Sequence, residues 1–216
     1  MVKAASLKQK LRLYLVTDRR LSQKIGKTIF EVAEEACAAG VRVVQYRGKE
    51  LDPGIQIAEA LLLRAITQKH GALFIVNDHP NLAEAVGADG VHLGQGDVSI
   101  RAARRILGKG RIIGASTHSL EQAFRAKEDG ADYIGVGPVF ATSTKADAGK
   151  PVGLELVSRV KKAVRVPLVA IGGINSTNLA SVFSAGADGA AMVSEFVKKK
   201  SVAKTVNALK IISHGA

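Results

Sequence analysis

The sequence has very few of the residues on which several common protein classes depend. Trp is absent, Phe and Tyr together make up 4% of the 216 residues, and Cys37 is the single cysteine. A lone cysteine excludes an intrachain disulfide, and scarce aromatic residues argue against a stacking platform for single-stranded nucleic acid. Cys37 lies in an Ala-rich stretch, where a small buried residue is the expected role.

Long apolar runs are also lacking. Neither a secretory leader nor an apolar run of membrane-spanning length is visible, so we expect a cytoplasmic protein without a membrane partner. No linker or low-complexity tract divides the chain, and residues 1–216 are therefore predicted to form a single domain.

Acidic residues are outnumbered by basic ones, 19 against 31, which gives a formal charge of +12. Such a chain could bind nucleic acid, or it could focus small anions into a cleft. The basic residues are scattered, and most fall on predicted helices, where charged side chains face water. This distribution favours small anionic ligands and no nucleic-acid partner. A homo-oligomer is left open.

Short apolar segments and amphipathic segments alternate along the chain. Because the apolar runs are continuous, they are typical of parallel strands buried on both faces. The predicted strands are 11–17, 41–46, 73–76, 90–93, 112–115, 133–136, 166–171 and 189–193. The predicted helices are 28–39, 53–69, 81–86, 99–107, 120–128, 154–163, 176–184 and 202–212. Caps are expected from Asp52, Asp97, Ser119 and Asn175.

A Gly-Ala-Asp sequence recurs just before three of these strands, at residues 87–89, 130–132 and 186–188. Each copy fits a glycine that ends a helix and a tight turn into the next strand. Eight βα units in a short chain, without a Gly-x-Gly-x-x-Gly after the first strand, favour a closed barrel over an open sheet. The fold class is thus predicted as α/β, a single (β/α)₈ TIM barrel.

Polar residues follow the predicted strands, where such barrels carry their functional groups. After the second strand, alternation points Gln45, Arg47 and Lys49 to the same side, which suits a phosphate clamp. The alternative is a surface turn with salt bridges. After the third and fourth strands, Asp78 and Asp97 could share Mg²⁺, although each could instead cap the next helix.

The fifth and sixth strands are followed by hydroxyl-rich segments. Ser116 could donate to a ligand, whereas His118 is either a proton carrier or a structural residue. His92 is expected to be a satisfied polar group inside the barrel, and His79 is given no role. The longest loop follows the sixth strand and carries Thr142, Thr144 and Lys145, a set that suits an anion.

The loops after the seventh and eighth strands are the usual phosphate seat of these barrels. Gly172 and Gly173 would let backbone N–H groups approach a phosphate, with a helix N-terminus directly behind them. The residues therefore predict two anion sites, one with a metal at strands two to four and one without a metal at strands six to eight.

Seven segments in order make the chain resemble the thiamine phosphate synthase family. They are YLVTD at 14–18, QYRGK at 45–49, IVND at 75–78, GVHLGQGD at 90–97, GVGPVF at 135–140, TSTK at 142–145 and IGGI at 171–174. The resemblance implies a transferase that joins 4-amino-2-methyl-5-hydroxymethylpyrimidine diphosphate to 4-methyl-5-(2-phosphooxyethyl)thiazole and releases diphosphate with the help of Mg²⁺.

The resemblance also implies residue roles. The pyrimidine diphosphate would be held by Gln45, Arg47, Lys49, Asn77, Ser116 and Lys145. The thiazole phosphate would be held by Thr142, Thr144, Gly173, Val193 and Ser194. Asp78 and Asp97 would bind the metal, and Arg47, Lys49 and Lys145 would act in catalysis by stabilising the departing diphosphate.

Two positions depart from the family pattern: Gly48 stands where an acidic residue is common, and Ala141 where proline is common. They leave the stiffness of two loops open. The alternatives to a synthase are a thiazole tautomerase-like isomerase, which would use His118 as its proton carrier, and a non-catalytic phosphate-binding barrel.

Overall fold

Eight parallel strands close into a barrel in the computed structural model, which describes residues 4–49, 51–142, 144, 149–198 and 200–215. Each strand pairs with the next along the chain, and β8 pairs with β1 to complete the closure. The predicted (β/α)₈ barrel is therefore confirmed.

All eight predicted strands form, with small differences at their ends. Their bounds are β1 Leu13–Val16, β2 Val43–Tyr46, β3 Leu73–Asn77, β4 Gly90–Leu93, β5 Ile112–Thr117, β6 Tyr133–Val136, β7 Leu168–Ile171 and β8 Gly189–Met192. The first, second and seventh begin two residues later than predicted, because the two residues before each of them belong to the segment that leads into the barrel. The first and the eighth end one residue earlier than predicted, and the third and fifth run further.

Ten helices occur in the described part of the chain. Their bounds are α1 Ala4–Lys10, α2 Arg19–Lys24, α3 Ile29–Ala38, α4 Pro53–Lys69, α5 Pro80–Ala85, α6 Ile100–Leu107, α7 Leu120–Glu128, α8 Gly153–Ala163, α9 Leu179–Ser184 and α10 Val202–His214. Across these described segments, none of the helices is both long enough and apolar enough to cross a bilayer.

Helices α1 and α2 were not predicted from the sequence. Leu7 in α1 and Leu11 just after it are buried within the apolar cluster that fills the inside of the barrel. Helix α1 therefore closes the N-terminal end of the barrel. Helix α2 is held by Asp18, whose carboxylate accepts a hydrogen bond from the N–H of Leu21 at 2.9 Å. Both helices are short, which gave too little periodicity to detect.

Two of the predicted helix caps are confirmed. The Asp52 carboxylate accepts from the N–H of Gly54 at 2.8 Å, and the Ser119 hydroxyl accepts from the N–H of Gln122 at 3.2 Å. These side chains satisfy backbone donors that a helix cannot satisfy internally.

The other two predicted caps were wrong. Helix α6 is capped by Ser99, and Asp97 instead accepts from the N–H of Gly94 at 2.6 Å. Helix α9 begins at Leu179 rather than at residue 176, because Asn175 and Asn178 build a polar turn ahead of it. Asp97 is thereby turned back toward the end of β4.

Side chains alternate between the inside and the outside of the barrel along each strand. Tyr14 and Val16 lie in the interior cluster, whereas Leu13 and Leu15 pack outward against the helices. Val43 is also inside, so Gln45, two residues later, points into the barrel as predicted.

The recurring Gly-Ala-Asp segments fasten neighbouring strands at the N-terminal end of the barrel. In each copy the Asp carboxylate accepts a hydrogen bond from a backbone N–H of the preceding strand. The pairs are Asp89 with Phe74 at 2.8 Å, Asp132 with Ile113 at 2.8 Å, and Asp188 with Leu168 at 2.9 Å. A cation from the helix that comes before that strand meets each carboxylate: Arg64 on α4, Arg104 on α6 and Lys161 on α8. The sequence repeat thus serves stability at the end opposite to the strand-end loops.

Candidate active site

A cavity of about 410 Å³ opens at the C-terminal ends of the strands, within the size range of small-molecule sites. Every predicted site residue that the structure describes lines it: Gln45, Arg47, Lys49, Asn77, Asp78, Asp97, Ser116, Thr142, Thr144, Gly173, Val193 and Ser194. Lys145 lies outside the described residues. The strand ends bring these positions together; their individual ligand roles stay predictions.

The cationic side of the cavity is built on the end of β2. The N–H of Arg47 donates to the Thr17 hydroxyl at 3.1 Å, which ties this segment to the end of β1. The Lys49 ammonium lies 3.4 Å from an Asp78 carboxylate oxygen and is 40% exposed. Arg47 and Lys49 both line the cavity, so two cations face the same space.

The structure explains why residue 48 is a glycine. A Cβ added at Gly48 would lie 2.2 Å from the Tyr46 phenol oxygen. That phenol cannot easily move, because it is buried and donates to the Glu59 carboxylate at 2.9 Å. The Tyr46 ring therefore occupies the space of a side chain at position 48, and glycine lets the chain pass between Arg47 and Lys49.

Two carboxylates meet beside these cations. Burial raises the pKa of Asp78, and the neighbouring Asp97 carboxylate raises it further, against the lowering effect of Lys49. Asp78 also has a left-handed backbone, with φ of 64°, and its N–H donates to the His92 carbonyl at 2.8 Å. A backbone of this kind is unusual for a residue other than glycine and is frequent at functional sites.

This pair of carboxylates fits a divalent cation. Asp78 is half-buried and Asp97 is exposed. Their neighbouring negative charges repel each other, and a bound cation would remove that repulsion. In the described segments no third His, Cys, Asp or Glu joins a metal-binding group. The remaining ligands would be water or substrate oxygens, which is how Mg²⁺ is commonly held.

The opposite wall is formed by the loops after β6 and β7, which are bound to each other. The N–H groups of Val139 and Phe140 donate to the carbonyls of Ile171 and Gly172, at 2.8 and 3.0 Å. Gly173 has φ of 64°, and a Cβ there would lie 2.5 Å from the Ala141 carbonyl oxygen. Only glycine fits this close approach of two loops.

The phosphate seat differs in one respect from the prediction. A helix N-terminus was expected directly behind Gly173, but α9 begins at Leu179. The N–H of Ser176 instead donates to the buried carboxylate of Glu195 at 3.2 Å. The groups that face the cavity here are Gly172, Gly173 and Ser194, together with Thr142 and Thr144.

The floor of the cavity holds polar residues that the sequence did not reveal as a set. Gln45 Nε2 donates to the Tyr14 hydroxyl at 2.7 Å, and the Tyr14 and Tyr133 hydroxyls lie 2.9 Å apart. His92 contacts the Tyr133 hydroxyl through Nδ1 and the Ser116 hydroxyl through Nε2, both at 2.9 Å. We name these five residues the floor network. The expectation that His92 is a satisfied interior group is confirmed, but it also lines the cavity.

One sequence signal could have indicated the floor network. Tyr14, Gln45, His92, Ser116 and Tyr133 are polar residues within or at the ends of five different predicted strands. Inward-facing polar residues on a closed barrel must meet each other, because its interior is narrow. His118, by contrast, uses Nδ1 to contact the Gly137 carbonyl, in agreement with its structural interpretation.

Comparison with known proteins adds to this geometry. The family model described as thiamine monophosphate synthase matches residues 13–196. A thiamine-phosphate synthase of Chloroflexus aurantiacus is 47% identical over 201 residues, covering 93% of this chain and 92% of that protein. One from Clostridioides difficile is 41% identical over 206 residues, with 95% and 97% covered. The solved structure of a Pyrococcus furiosus thiamine phosphate pyrophosphorylase superposes with a TM-score of 0.88 at 39% identity, with 97% and 98% covered.

Proposed function

The chain belongs to the thiamine monophosphate synthase family, and we propose that its cavity performs the family's reaction in two chemically distinct halves. The protein is a transferase that joins the pyrimidine diphosphate to the thiazole phosphate, giving thiamine phosphate and diphosphate. The comparisons favour this activity over an isomerase or a non-catalytic barrel. The observation that carries the two-part arrangement is the cavity itself, with cations and carboxylates on one wall and glycines and hydroxyls on the other.

The first half would hold the diphosphate. Arg47 offers a planar fork of donors and Lys49 a mobile point charge, and both suit phosphate oxygens. Lys145 would join them from the loop after β6. Asp78 and Asp97 would hold Mg²⁺, which supplies positive charge to the leaving diphosphate when bound.

The second half would hold the thiazole phosphate without a metal. Gly173 brings backbone close to the cavity, and Thr142, Thr144 and Ser194 offer hydroxyl groups. Val193 would contribute its backbone at the end of β8. The hydrogen bonds between the loops after β6 and β7 would keep this wall in position before the substrate arrives.

In our proposal the bond between the pyrimidine methylene carbon and the diphosphate breaks first, and the bonding electrons leave with the diphosphate. The thiazole nitrogen then donates its lone pair to the resulting pyrimidine-methyl cation. No proton has to be removed from that nitrogen, so this step needs no general base. A favourable charge pair at 4 Å contributes about 4 kcal/mol at an effective dielectric constant of 20. Arg47, Lys49 and Lys145 would therefore accelerate departure chiefly by stabilising negative charge.

We also place the protein in the cytoplasm, acting on small phosphorylated substrates and not on nucleic acid. The single cysteine, which is buried, gives no disulfide to suggest an oxidising compartment. The oligomeric state stays open.

A direct assay tests the proposed function. The purified protein is incubated with both substrates, with Mg²⁺ or with a chelator, and thiamine phosphate and diphosphate are quantified together. We expect equal amounts of the two products, and formation only with Mg²⁺. Thiazole isomerisation without release of diphosphate would contradict the synthase assignment, whereas full activity with the chelator would contradict only the metal.

A further inference from the structure

The floor network can run in one direction from Gln45 to Ser116, because each of its hydroxyl groups carries a single hydrogen. Burial raises the pKa of Tyr14 and of Tyr133, so both phenols stay protonated at neutral pH. A phenol can donate one hydrogen bond only. Gln45 Nε2 donates to the Tyr14 hydroxyl, and either phenol could donate across the 2.9 Å between the two oxygens. A row that runs in one direction from Gln45 has the Tyr14 hydroxyl donating to Tyr133.

The row continues from Tyr133 to Ser116 at the other end of the floor network. In that row the Tyr133 hydroxyl accepts from Tyr14 and donates to His92 Nδ1, 2.9 Å away. A neutral imidazole that accepts at Nδ1 carries its hydrogen on Nε2, and in this tautomer His92 donates to the Ser116 hydroxyl oxygen. The hydrogen of the Ser116 hydroxyl then points away from His92.

The two ends of the floor network consequently present opposite groups. The Gln45 carbonyl oxygen remains as an acceptor, and the Ser116 hydroxyl remains as a donor, and both residues line the cavity. Gln45 keeps a free acceptor and Ser116 keeps a free donor when every bond in the row runs in this same direction. The polarity of Gln45 is thus coupled to that of Ser116 across three strands.

We propose that Tyr14, Tyr133 and His92 are positioning residues whose hydrogen-bond direction makes the cavity select an aminopyrimidine over an oxopyrimidine. This inference rests on the proposed function, which places the pyrimidine against Gln45 and Ser116. A 4-aminopyrimidine offers a donor on its amino group and an acceptor on its ring nitrogen, which complements one acceptor and one donor. The 4-oxo analogue reverses both groups, with a carbonyl acceptor and a ring N–H donor.

The surrounding strands leave space for the floor network. A Cβ added at Gly114 would lie 2.2 Å from the Tyr133 ring and 2.5 Å from His92 Nδ1. One added at Gly135 would lie 3.1 Å from His92 Cε1. Glycines on β5 and β6 therefore make room for the two rings, whose centroids are 5.4 Å apart. The arrangement is built into the barrel and does not depend on a loop.

The chain offers a matched set of variants, since it has three tyrosines and two of them belong to the floor network. Tyr14→Phe and Tyr133→Phe each remove one hydroxyl and keep the ring. Tyr46→Phe is the control, because it removes a buried hydroxyl that is bonded to Glu59 and does not line the cavity. For each protein we would measure the thermal midpoint, the turnover of the amino substrate, and the dissociation constants of the amino and oxo pyrimidine diphosphates.

We expect the wild type and Tyr46→Phe to prefer the amino compound by the same factor. Tyr14→Phe and Tyr133→Phe should each lose about tenfold or more of this preference, because unpaired polar groups no longer penalise the wrong ligand. Unchanged preference in both folded network variants would overturn the inference and leave the synthase activity standing. A wild type that forms no thiamine phosphate would instead overturn the function on which the inference rests.

Discussion

At the scale of single residues, the cavity separates cationic groups from backbone and hydroxyl groups. Arg47 and Lys49 face the space that Asp78 and Asp97 share, and the Lys49 ammonium already lies 3.4 Å from Asp78. Charges placed before the substrate arrives cost little reorganisation when negative charge develops on the diphosphate. This arrangement makes clear predictions for substitutions of individual charges.

Replacing Arg47 or Lys145 by alanine should lower kcat/KM by about 100-fold or more, the usual cost of losing a group that stabilises developing charge. The thermal midpoint should stay close to that of the wild type, since Arg47 is not part of the apolar core and a lysine is rarely fully buried. Steady-state kinetics and thermal unfolding measure the two effects.

Arg101→Ala is the control for net charge. It removes the same charge from the outer surface, where Arg101 pairs with Asp129 and is 69% exposed. Its kcat/KM should match the wild type. If Arg101→Ala were as impaired as Arg47→Ala, long-range attraction and not local contact would explain the loss.

Asp78→Asn should remove metal binding without weakening the fold. Asparagine tolerates the left-handed backbone found at this position, and the substitution removes a carboxylate that Asp97 repels. We expect the metal-free variant to melt at the wild-type temperature or above it. The stabilisation that Mg²⁺ with inorganic diphosphate gives the wild type should be absent. An equal thermal shift in both proteins would argue against a metal at Asp78.

Gly48→Ala tests the packing between Arg47 and Lys49 at the end of β2. The added methyl group would collide with the buried Tyr46 phenol, and such overpacking typically costs about 1–3 kcal/mol. The free energy of unfolding from denaturant titration should fall by this amount, and KM for the pyrimidine diphosphate should rise. The matched substitution Gly96→Ala, where a Cβ meets nothing within 4 Å, should leave stability nearly unchanged.

At the scale of elements, the N-terminal and C-terminal ends of the strands have different functions. The N-terminal ends carry the Asp carboxylates that fasten β3, β5 and β7. The C-terminal ends carry the cavity residues. Residues for stability and residues for chemistry are therefore placed at opposite ends of the same strands, as in other barrels of this type.

Asp188→Asn should destabilise the barrel by about 2 kcal/mol near neutral pH, because a buried, multiply bonded carboxylate is lost. Burial alone would raise the pKa of Asp188, but hydrogen bonds from Lys161, Lys8 and the Leu168 N–H outweigh it and lower the pKa below 3.8. A lowered pKa in the folded state means that the stabilisation is present above about pH 4 and is lost as the pH falls through the folded value.

The pH dependence of unfolding measures this effect. The difference between the wild type and Asp188→Asn should be constant from pH 5 to 7 and narrow in stronger acid. Asp129→Asn, on an exposed ion pair, should change stability by less than about 1 kcal/mol. A difference for Asp188→Asn that persists unchanged in strong acid would show that its carboxylate charge does not matter.

The sequence predicted the elements wherever a periodic pattern was long. Helices α4 and α7 and strands β4 and β6 have the predicted bounds. Helices α1 and α2 were not predicted. Helix α1 closes the barrel end, and only Leu7 and the following Leu11 reach the core, while α2 is a helix of six residues after β1. Their positions are decided by tertiary packing, which local propensity does not contain.

Strand order and side-chain alternation were sufficient to predict which residues surround the cavity. The floor network could not be predicted as a set, because it depends on which inward-facing groups of β1, β2, β4, β5 and β6 meet at one level of the barrel. The seat of the second phosphate was also incompletely predicted, since the start of α9 depends on a turn at Asn175 and Asn178. Both features are decided by contacts between segments far apart in the sequence.

At the scale of the whole molecule, the excess positive charge favours the approach of anionic ligands. The formal charge of +12 raises the local concentration of doubly and triply charged substrates around the barrel. Arg64, Arg104 and Lys161 pair with carboxylates at the N-terminal end of the barrel, whereas Arg47 and Lys49 line the cavity at its C-terminal end. The general field therefore attracts anions, and the cavity residues distinguish among them.

The most direct test is calorimetric titration of each substrate alone, with and without Mg²⁺. If a metal serves only the half at β2 to β4, Mg²⁺ should strengthen binding of the pyrimidine diphosphate by about tenfold or more and change thiazole phosphate binding by less than about twofold. Asp97→Asn should abolish the first effect and leave thiazole phosphate binding unchanged. Equal Mg²⁺ dependence for the two substrates would contradict the division of the cavity into a metal-assisted half and a metal-free half.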